Sequence, residues 1–436
     1  MLRTHYANEI TDALDGKKVV VGGWVKVVRE HGKIKFLIVK DRSGDIQITI
    51  KEGESPKQVL DCLKTLGKEY VVLVSGTVKN NKQAPKGAEI MPDKIDILSK
   101  AESPLPLDMN IKSGLDKRLD WRSIDLRKPD VMAIFKIQSK IVEGMEDFLR
   151  KSGFIQVFTP CIIGATSEGG ADVFPVVYFQ QEAFLRQDPQ LHRELLIAGG
   201  FDKIFDLGPS WRAEPSHTTR HMCEHRGCAV ELAFISDETD TMRLEEDLVI
   251  SGFQRVERDC KEELELLGKK IIIPKKLFPE LRFPEIYDIL AKMGSKVEHG
   301  EEYGREDEKL LGDYVAKKYK HEFFFVNRFP FKVKPFYVMR VDDDPQWARS
   351  VDMMFKGLEM SSGGQREHRY DKLIQQVKEK KMSLEGVKWF TEFFRYGVPS
   401  MGGFNIGIER LTQMLLDLEN IREAALFPRA PERLMP

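Results

Sequence analysis

The chain of 436 residues has little cysteine, almost no net charge and no long apolar run. Its five cysteines (Cys62, Cys161, Cys223, Cys228, Cys260) are an odd count in a long chain. That argues against a disulfide scaffold and for a reducing compartment. No apolar stretch approaches the roughly 18 residues of a membrane helix, so no membrane partner is expected. The opening Met1–Asn8 is polar, and no targeting leader is expected. A cytoplasmic location follows. With 68 basic and 69 acidic residues, the net charge of -1 offers no argument for a nucleic-acid partner. Repeats and low-complexity segments are missing. A composition 42% hydrophobic and 31% charged excludes disorder.

At about 100–200 residues per domain, the length suggests two or three domains. Charge is uneven. Residues 1–102 carry 18 basic and 14 acidic side chains, the rest 50 and 55. From Lys17 to about Lys100 the chain reads as short β-branched strands at Lys18–Val28, Lys35–Lys40, Asp45–Ile50, Tyr70–Lys79 and Ile95–Leu98. Asp41-Arg42-Ser43-Gly44 reads as a tight turn, and Pro56–Leu66 as a helix. Five strands and one helix fit a closed barrel of the OB type. Ser103–Leu107 is a proline linker, and the charge-dense Lys117–Pro129 reads as a hinge. Val131–Lys151 has helical period. Strands are then expected at Ile155–Phe158, Val230–Phe234, Phe323–Val326, Phe336–Val341 and Phe404–Ile408. Helices are expected at Thr241–Leu267, Asp307–Tyr319, Lys372–Lys380, Leu384–Tyr396 and Ile408–Asp417. The expected division is a barrel over 1–102, a hinge over 103–130 and a large α+β domain over 131–436.

Three stretches carry chemistry. Gly153–Pro160 is a strand ending in proline after a long helix, and alone it reads as an ordinary helix–strand unit. Phe205–Phe234 reads as two strands flanking a loop with Arg212, His217, Arg220, His221, Glu224 and His225. Such a hairpin can clamp a triphosphate, because arginine offers a planar donor fork to phosphate oxygens. A solvated charged loop is the bland alternative. His217, His221, Cys223, His225 and Cys228 lie within 12 residues, a density typical of zinc, but without zinc-like spacing. Gly402–Arg410 is a glycine-rich strand running into a helix, where a ligand can approach the backbone closely. Upstream, Glu359 and Ser362 could hold Mg²⁺, which takes a few oxygens plus substrate phosphates.

In order, these stretches resemble the three signature motifs of class II aminoacyl-tRNA synthetases. Within the class the chain resembles aspartyl-tRNA synthetases of the archaeal and eukaryotic type. Further matches are Arg3-Thr4-His5-Tyr6, Asp125-Leu126-Arg127, Ser167–Gly170, Ser362–Arg366 and the ending Leu426–Arg429, Arg433-Leu434 and Pro436. The resemblance implies an OB-fold anticodon-binding domain before an antiparallel-sheet catalytic domain. It implies ATP and L-aspartate as substrates, Mg²⁺ as cofactor, and a homodimer built by the strand containing Pro160. It implies catalytic roles for Arg212 at the α-phosphate and Arg410 at the γ-phosphate. Glu214, Arg220, His221, Glu224, His225 and Gly407 would complete the ATP site, with Glu359 and Ser362 on the metal. Glu168, Gln190, Arg193, Glu231 and Arg366 would surround the amino acid. Phe36, Gln47 and Pro85 would read the anticodon of tRNA(Asp), with Pro85 pointing to tRNA(Asn) as a second acceptor. For Phe36 alone, a core aromatic is the plain alternative.

The sequence departs from the family in the amino-acid pocket. Asp188 stands where the family has serine, Arg193 where it has lysine, and Ala229 where it has an ammonium-binding aspartate. One reading has Asp188 supplying that carboxylate; the other pairs it with Arg186 or Arg193. His225 replaces a frequent phenylalanine, and Ser400-Met401 loses a histidine. A paralogue that activates another amino acid or serves another acceptor is one alternative function. A non-catalytic RNA-binding protein is the other.

Overall fold

Runs of β-branched residues make the first part of the chain. β1 (Lys18–His31), β2 (Ile34–Asp41) and β3 (Gly44–Lys51) lead to α1 (Lys57–Leu63), followed by β4 (Val71–Asn80) and β5 (Ala88–Ser99). The strands close into a barrel of order β1-β2-β3-β5-β4, the OB-type barrel that the strand pattern predicts. Alternate residues point inward. Val19, Val21, Leu37, Val39, Ile46, Ile48, Val72 and Val74 fill the barrel. Closure brings backbones very near one another. A Cβ on Gly23 would lie 2.2 Å from the Lys40 carbonyl oxygen. The tight turn after β2 forms, with Asp41 Oδ1 accepting the Ser43 N–H at 2.7 Å. The computed structural model describes residues 2–164, 173–213, 215 and 218–436, and the chain divides into two units at residues 132 and 133.

The charge-dense stretch beyond the barrel has regular structure of its own. It folds into α2 (Leu115–Asp120) and α3 (Arg122–Asp125). Asp125 is fully buried and takes hydrogen bonds from Arg118 Nε at 3.2 Å and Arg122 Nη1 at 3.0 Å. Lys128 lies 3.7 Å from the same carboxylate. Spacings of three and seven residues put these cations on the helix faces that meet Asp125. The charges are a buried cluster, which sequence charge density alone cannot distinguish from a wet surface.

α4 (Pro129–Lys151) leads into the second unit. Next come β6 (Ile155–Gln156), β7 (Ile162–Ile163), β8 (Pro175–Tyr178), β9 (Gln181–Leu185), α5 (Gln190–Ala198), β10 (Lys203–Trp211) and β11 (Glu224–Ala233). α6 (Glu238–Asp259), α7 (Lys261–Leu266), β12 (Glu280–Arg282), α8 (Glu285–Lys292), α9 (Arg305–Tyr319) and β13 (Phe323–Asn327) follow. The chain ends with β14 (Ser350–Phe355), β15 (Leu358–Arg366), α10 (Tyr370–Glu379), α11 (Lys388–Thr391), β16 (Met401–Gly407) and α12 (Ile408–Leu415). Eight strands form one mainly antiparallel sheet of order β12-β13-β14-β15-β16-β11-β10-β6, and β7-β9-β8 form a small second sheet. Ile134, Ile137, Ile141 and Met145 of α4 share a core with Phe253 of α6, Leu411 of α12 and the sheet residues Phe205, Val230 and Phe404. One face of the sheet is therefore covered by helices.

Three expected elements differ. Phe336–Val341 is not a strand. It makes only isolated bridges at Val338 and Arg340, and Phe336, Tyr337 and Val338 are buried by side-chain packing instead. The helix expected over Thr241–Leu267 breaks at Cys260, whose φ of -119° and ψ of 33° are not helical. The helix expected over Leu384–Tyr396 shrinks to α11 and a 3-10 turn, and Gly397 at φ 87° ends it.

Removing the charge at Asp125 leaves Arg118, Arg122 and Lys128 clustered without their shared anion. The Asp125→Asn variant is expected to lose about 3 kcal/mol of stability in a denaturant titration. A loss below about 1 kcal/mol would mean that the cluster does not hold the segment.

Candidate active site

The open face of the large sheet carries a cavity of about 350 Å³. That volume suits a small-molecule ligand. Strand alternation assigns the residues of β11 to its two faces. Cys228 and Val230 point into the helix-covered core, while His225, Gly227, Ala229 and Glu231 belong to the other face. His225 lines the cavity, as do Gly227, Asn405 and Gly407. His225 and Cys228 therefore cannot share a metal ion. Among the described residues no three of His, Cys, Asp or Glu gather as a metal site, and His217 lies outside them.

A β-bulge brings Glu359 and Ser362 together. Residues three apart on a regular strand face opposite ways. In the β14–β15 pair, Met353 opposes Ser361 and Met354 opposes Glu359, so Met360 is an extra residue. Met360 joins the core, and Ser361 donates to Glu245 on α6. Glu359 and Ser362 are left on the cavity face, and both line it. Arg410 Nη1 donates to the Glu359 carbonyl at 2.9 Å and lies 3.6 Å from its carboxylate.

The remaining expected ATP residues divide. Arg212, Arg220, His221 and His225 line the cavity with Arg410. Arg220 Nη1 lies 3.5 Å from Glu308, and the His221 ring nitrogen is 2.5 Å from Thr218 Oγ1. Glu224 pairs with Arg226 at 2.8 Å and is not part of the lining. Glu214 lies outside the described residues. Burial, followed by the charges of Arg212 and Arg410, pushes the His225 imidazole down to about 4. Its ring is uncharged at neutral pH.

Further along the cavity, the residues expected around the amino acid split into a wall and a floor. Asp188, Gln190 and Arg366 line it. Arg193 and Glu231 are each 0% exposed and sit beneath. Arg366 Nε donates to Glu231 at 2.8 Å, and Arg366 Nη2 donates to the Gly403 carbonyl at 2.9 Å and to Gln190 at 3.2 Å. Gln190 Nε2 in turn donates to Glu231 at 2.9 Å. Among the described residues, Arg366 Nη1 has no protein acceptor. Arg193 donates to both oxygens of Asp188, each at 2.8 Å. Burial pushes the Asp188 carboxyl up, but Arg193 outweighs it and holds the group below its ordinary value. Burial pushes the neighbouring Glu194 carboxyl well above its ordinary value, against the lowering pull of Arg366. Glu168 lies outside the described residues.

Lys334 and Asn405 are among the residues of this cavity that were not expected as ligands. Lys334 lines it and pairs with Asp352 at 3.3 Å. Asn405 lines it with its Oδ1 buried and unpartnered. Lys334 comes from the irregular stretch between β13 and β14, where no periodicity flags it. Asn405 stood inside a glycine-rich run that drew attention to the glycines.

The cavity also tests for a hard divalent cation. The Asp352 carboxylate is buried against Lys334, with its Oδ1 lacking a hydrogen-bond partner among the described residues. Burial, followed by repulsion from Glu359, raises Glu308 to about 7. Each of these carboxylates already faces a cation, Lys334 for Asp352, Arg220 for Glu308 and Arg410 for Glu359, and the oxygens of Glu359 and Ser362 on the cavity face are of the kind Mg²⁺ takes together with substrate phosphates.

In the barrel, Phe36 and Gln47 share its outer face. Phe36 pairs with Thr49 and Ile38 with Gln47 across β2 and β3, while Leu37 and Ile48 point inward. Phe36 is thus not a core aromatic. Gln47 Nε2 donates to Glu89 at 2.9 Å. Pro85 opens a short 3-10 turn, Pro85–Gly87, between β4 and β5.

Residues 114–431 match the family described as tRNA synthetases class II (D, K and N), and residues 19–98 match the OB-fold nucleic acid binding domain. The chain is 43% identical to the aspartate–tRNA(Asp) ligase of Pyrococcus abyssi over 438 residues, covering 100% of both. It is 40% identical to the aspartate–tRNA(Asp/Asn) ligase of Methanopyrus kandleri, again covering 100% of both. Its fold is similar to the asparaginyl-tRNA synthetase of Pyrococcus horikoshii complexed with asparaginyl-adenylate, with a TM-score of 0.93, 34% identity and 100% of both chains covered.

The depressed His225 basicity has a measurable consequence. The unfolded chain protonates this histidine near 6.5, while the folded chain resists until about 4. Between those values the unfolded state binds more protons, so stability falls as the pH drops through that window. A histidine-resolved NMR titration is expected to place the His225 midpoint near 4. A midpoint near 6.5 would contradict the half-buried, cation-flanked environment.

Proposed function

This chain belongs to the class II tRNA synthetases of the D, K and N group, and we propose that it is an ATP-dependent aspartate–tRNA ligase. The observation that carries the reading is Arg366, whose Nη1 edge has no protein acceptor among the described residues and whose side chain lines the cavity. A guanidinium edge of this kind matches a carboxylate. Full-length relatives named as aspartate–tRNA ligases support the same substrate.

In this reading the adenine lies on the uncharged His225 ring, with Arg410 over it. Arg212 holds the α-phosphate, and Arg220, His221 and Arg410 take the distal phosphates. Gly407 leaves room for the nucleotide, and Glu214 and Glu224 complete its site. Arg366 takes the aspartate side-chain carboxylate, with Gln190, Glu168 and the Glu231 floor around it. An oxygen of the α-carboxylate attacks the α-phosphorus in line, and the bond to pyrophosphate breaks. Arg212 neutralises the charge that develops there, so no protein nucleophile is needed. Mg²⁺ held by Glu359 and Ser362 would supply further neutralisation of phosphate charge. The terminal ribose hydroxyl of the tRNA then attacks the adenylate carbonyl and AMP leaves.

The division of labour follows the chain, with anticodon reading in residues 1–102, a connecting stretch over 103–130 and catalysis in 131–436. Phe36 stacks an unpaired anticodon base, and Gln47, fixed by Glu89, reads a base edge. The acceptor is tRNA(Asp). Pro85 and a relative named for both tRNAs support tRNA(Asn) as a second acceptor. A homodimer through the Pro160 region is supported by exposed apolar side chains there, including Phe158 at 84% and Ile155 at 52%. Five free cysteines suit a cytoplasmic enzyme.

Amino-acid-dependent ATP–pyrophosphate exchange against all twenty amino acids is expected to respond to aspartate. Exchange with another amino acid alone would replace the substrate assignment, and none at all would favour a non-catalytic RNA-binding protein. The barrel is tested separately. Phe36→Ala is expected to weaken tRNA binding by about 1–3 kcal/mol, while leaving tRNA-independent exchange unchanged; equal affinity of variant and wild type would remove Phe36 from the anticodon contact.

A further inference from the structure

Aspartate brings two carboxylates and one ammonium into the cavity. Arg366 accounts for one carboxylate, and the other reacts. The ammonium needs an anionic acceptor, since a desolvated charge without a partner is costly.

The described cavity wall offers three carboxylates, Asp188, Glu359 and Glu409. Glu359 stands beside Arg410 in the nucleotide half, at 3.6 Å. Glu409 accepts the Arg226 N–H at 2.9 Å. Glu231 is closer to the amino-acid half but is fully buried and bonded to Arg366 and Gln190. Asp188 alone of the three comes from the segment that also supplies Gln190. Its side chain is 18% exposed.

Arg193 cannot be a second clamp for the substrate carboxylate. It is 0% exposed, and its two terminal nitrogens are bonded to Asp188, one of them also to Gln190 Oε1 at 2.7 Å. A bidentate pair fixes the plane and direction of a carboxylate. We propose that Asp188 is the acceptor for the substrate α-ammonium and that Arg193 is a positioning residue, which aims Asp188 and Gln190 from below. The proposal rests on the aspartate-activating reading and adds a specificity determinant to it. Ala229, on the same face of β11 as Glu231, has no group to offer the ammonium.

Succinate is aspartate without its ammonium, and the pair isolates the contact. Binding of each to the full chain is measured by titration calorimetry, for wild type, Asp188→Asn and Asp188→Glu, with thermal melting as the folding control. Wild type is expected to prefer aspartate roughly 10–100-fold, the span of one charge-assisted hydrogen bond. In Asp188→Asn that preference falls to about threefold or less through weaker aspartate binding, with succinate unchanged or tighter. Asp188→Glu keeps the charge beside Arg193 but displaces it. It is expected to weaken aspartate at least about threefold without weakening succinate, and it carries the test should Asp188→Asn not fold. An undiminished preference in the folded variants would overturn the assignment, as would equal weakening of both ligands. Failure of wild type to bind either ligand would instead overturn the aspartate reading beneath it.

Discussion

The ion pair between Arg366 and Glu231 is the constraint on which the site depends. Both side chains are buried, and a buried pair is tolerable only when hydrogen bonds satisfy most of its other donors and acceptors. Here Glu231 on β11 also receives Gln190 from α5, and Arg366 on β15 also reaches the Gly403 carbonyl on β16. Three adjacent strands and one helix are thereby locked to a single guanidinium. The lock explains Gly403. A Cβ there would lie 2.0 Å from the Val230 carbonyl and 2.6 Å from Glu231 Oε2. Any side chain at 403 would push the carboxylate off the arginine.

The two halves of the cavity follow from different physics. The half proposed for the nucleotide is built from strand parity. His225, Gly227 and Asn405 face the opening because Cys228, Val230 and Phe404 face the helices. A single bulge at Met360 then turns Glu359 to the side of Ser362. The amino-acid half is built from charge pairing within one short segment. Asp188, Gln190 and Arg193 bond to one another before any ligand arrives. The second half is coupled, so a change at 188 is felt at 193 and 190.

Period-two alternation and turn chemistry made the barrel legible in the sequence, because they are local signals. The same holds for the β10–β11 hairpin and for α4 and α12. Tertiary pairing hid the rest. Nothing in Lys117–Pro129 tells a buried charge cluster from a wet one until Asp125 is seen to collect Arg118 and Arg122. Phe336–Val341 has strand composition, but Pro335 and the packing of Phe336 keep it out of the sheet. The sequence leaves Asp188 two roles, and its pairing with Arg193 is decided only by side-chain geometry that no spacing encodes. Lys334 was invisible because its place beside Asp352 is set by an irregular loop.

The central claim is that one cavity holds an aspartyl-adenylate with its side-chain carboxylate on Arg366. A crystal structure of the full chain with a non-hydrolysable aspartyl-adenylate analogue tests it most directly. The expected result has the side-chain carboxylate within hydrogen-bond distance of Arg366 Nη1 and the adenine ring against His225. An analogue bound with its carboxylate away from Arg366, or bound outside this cavity, would contradict it.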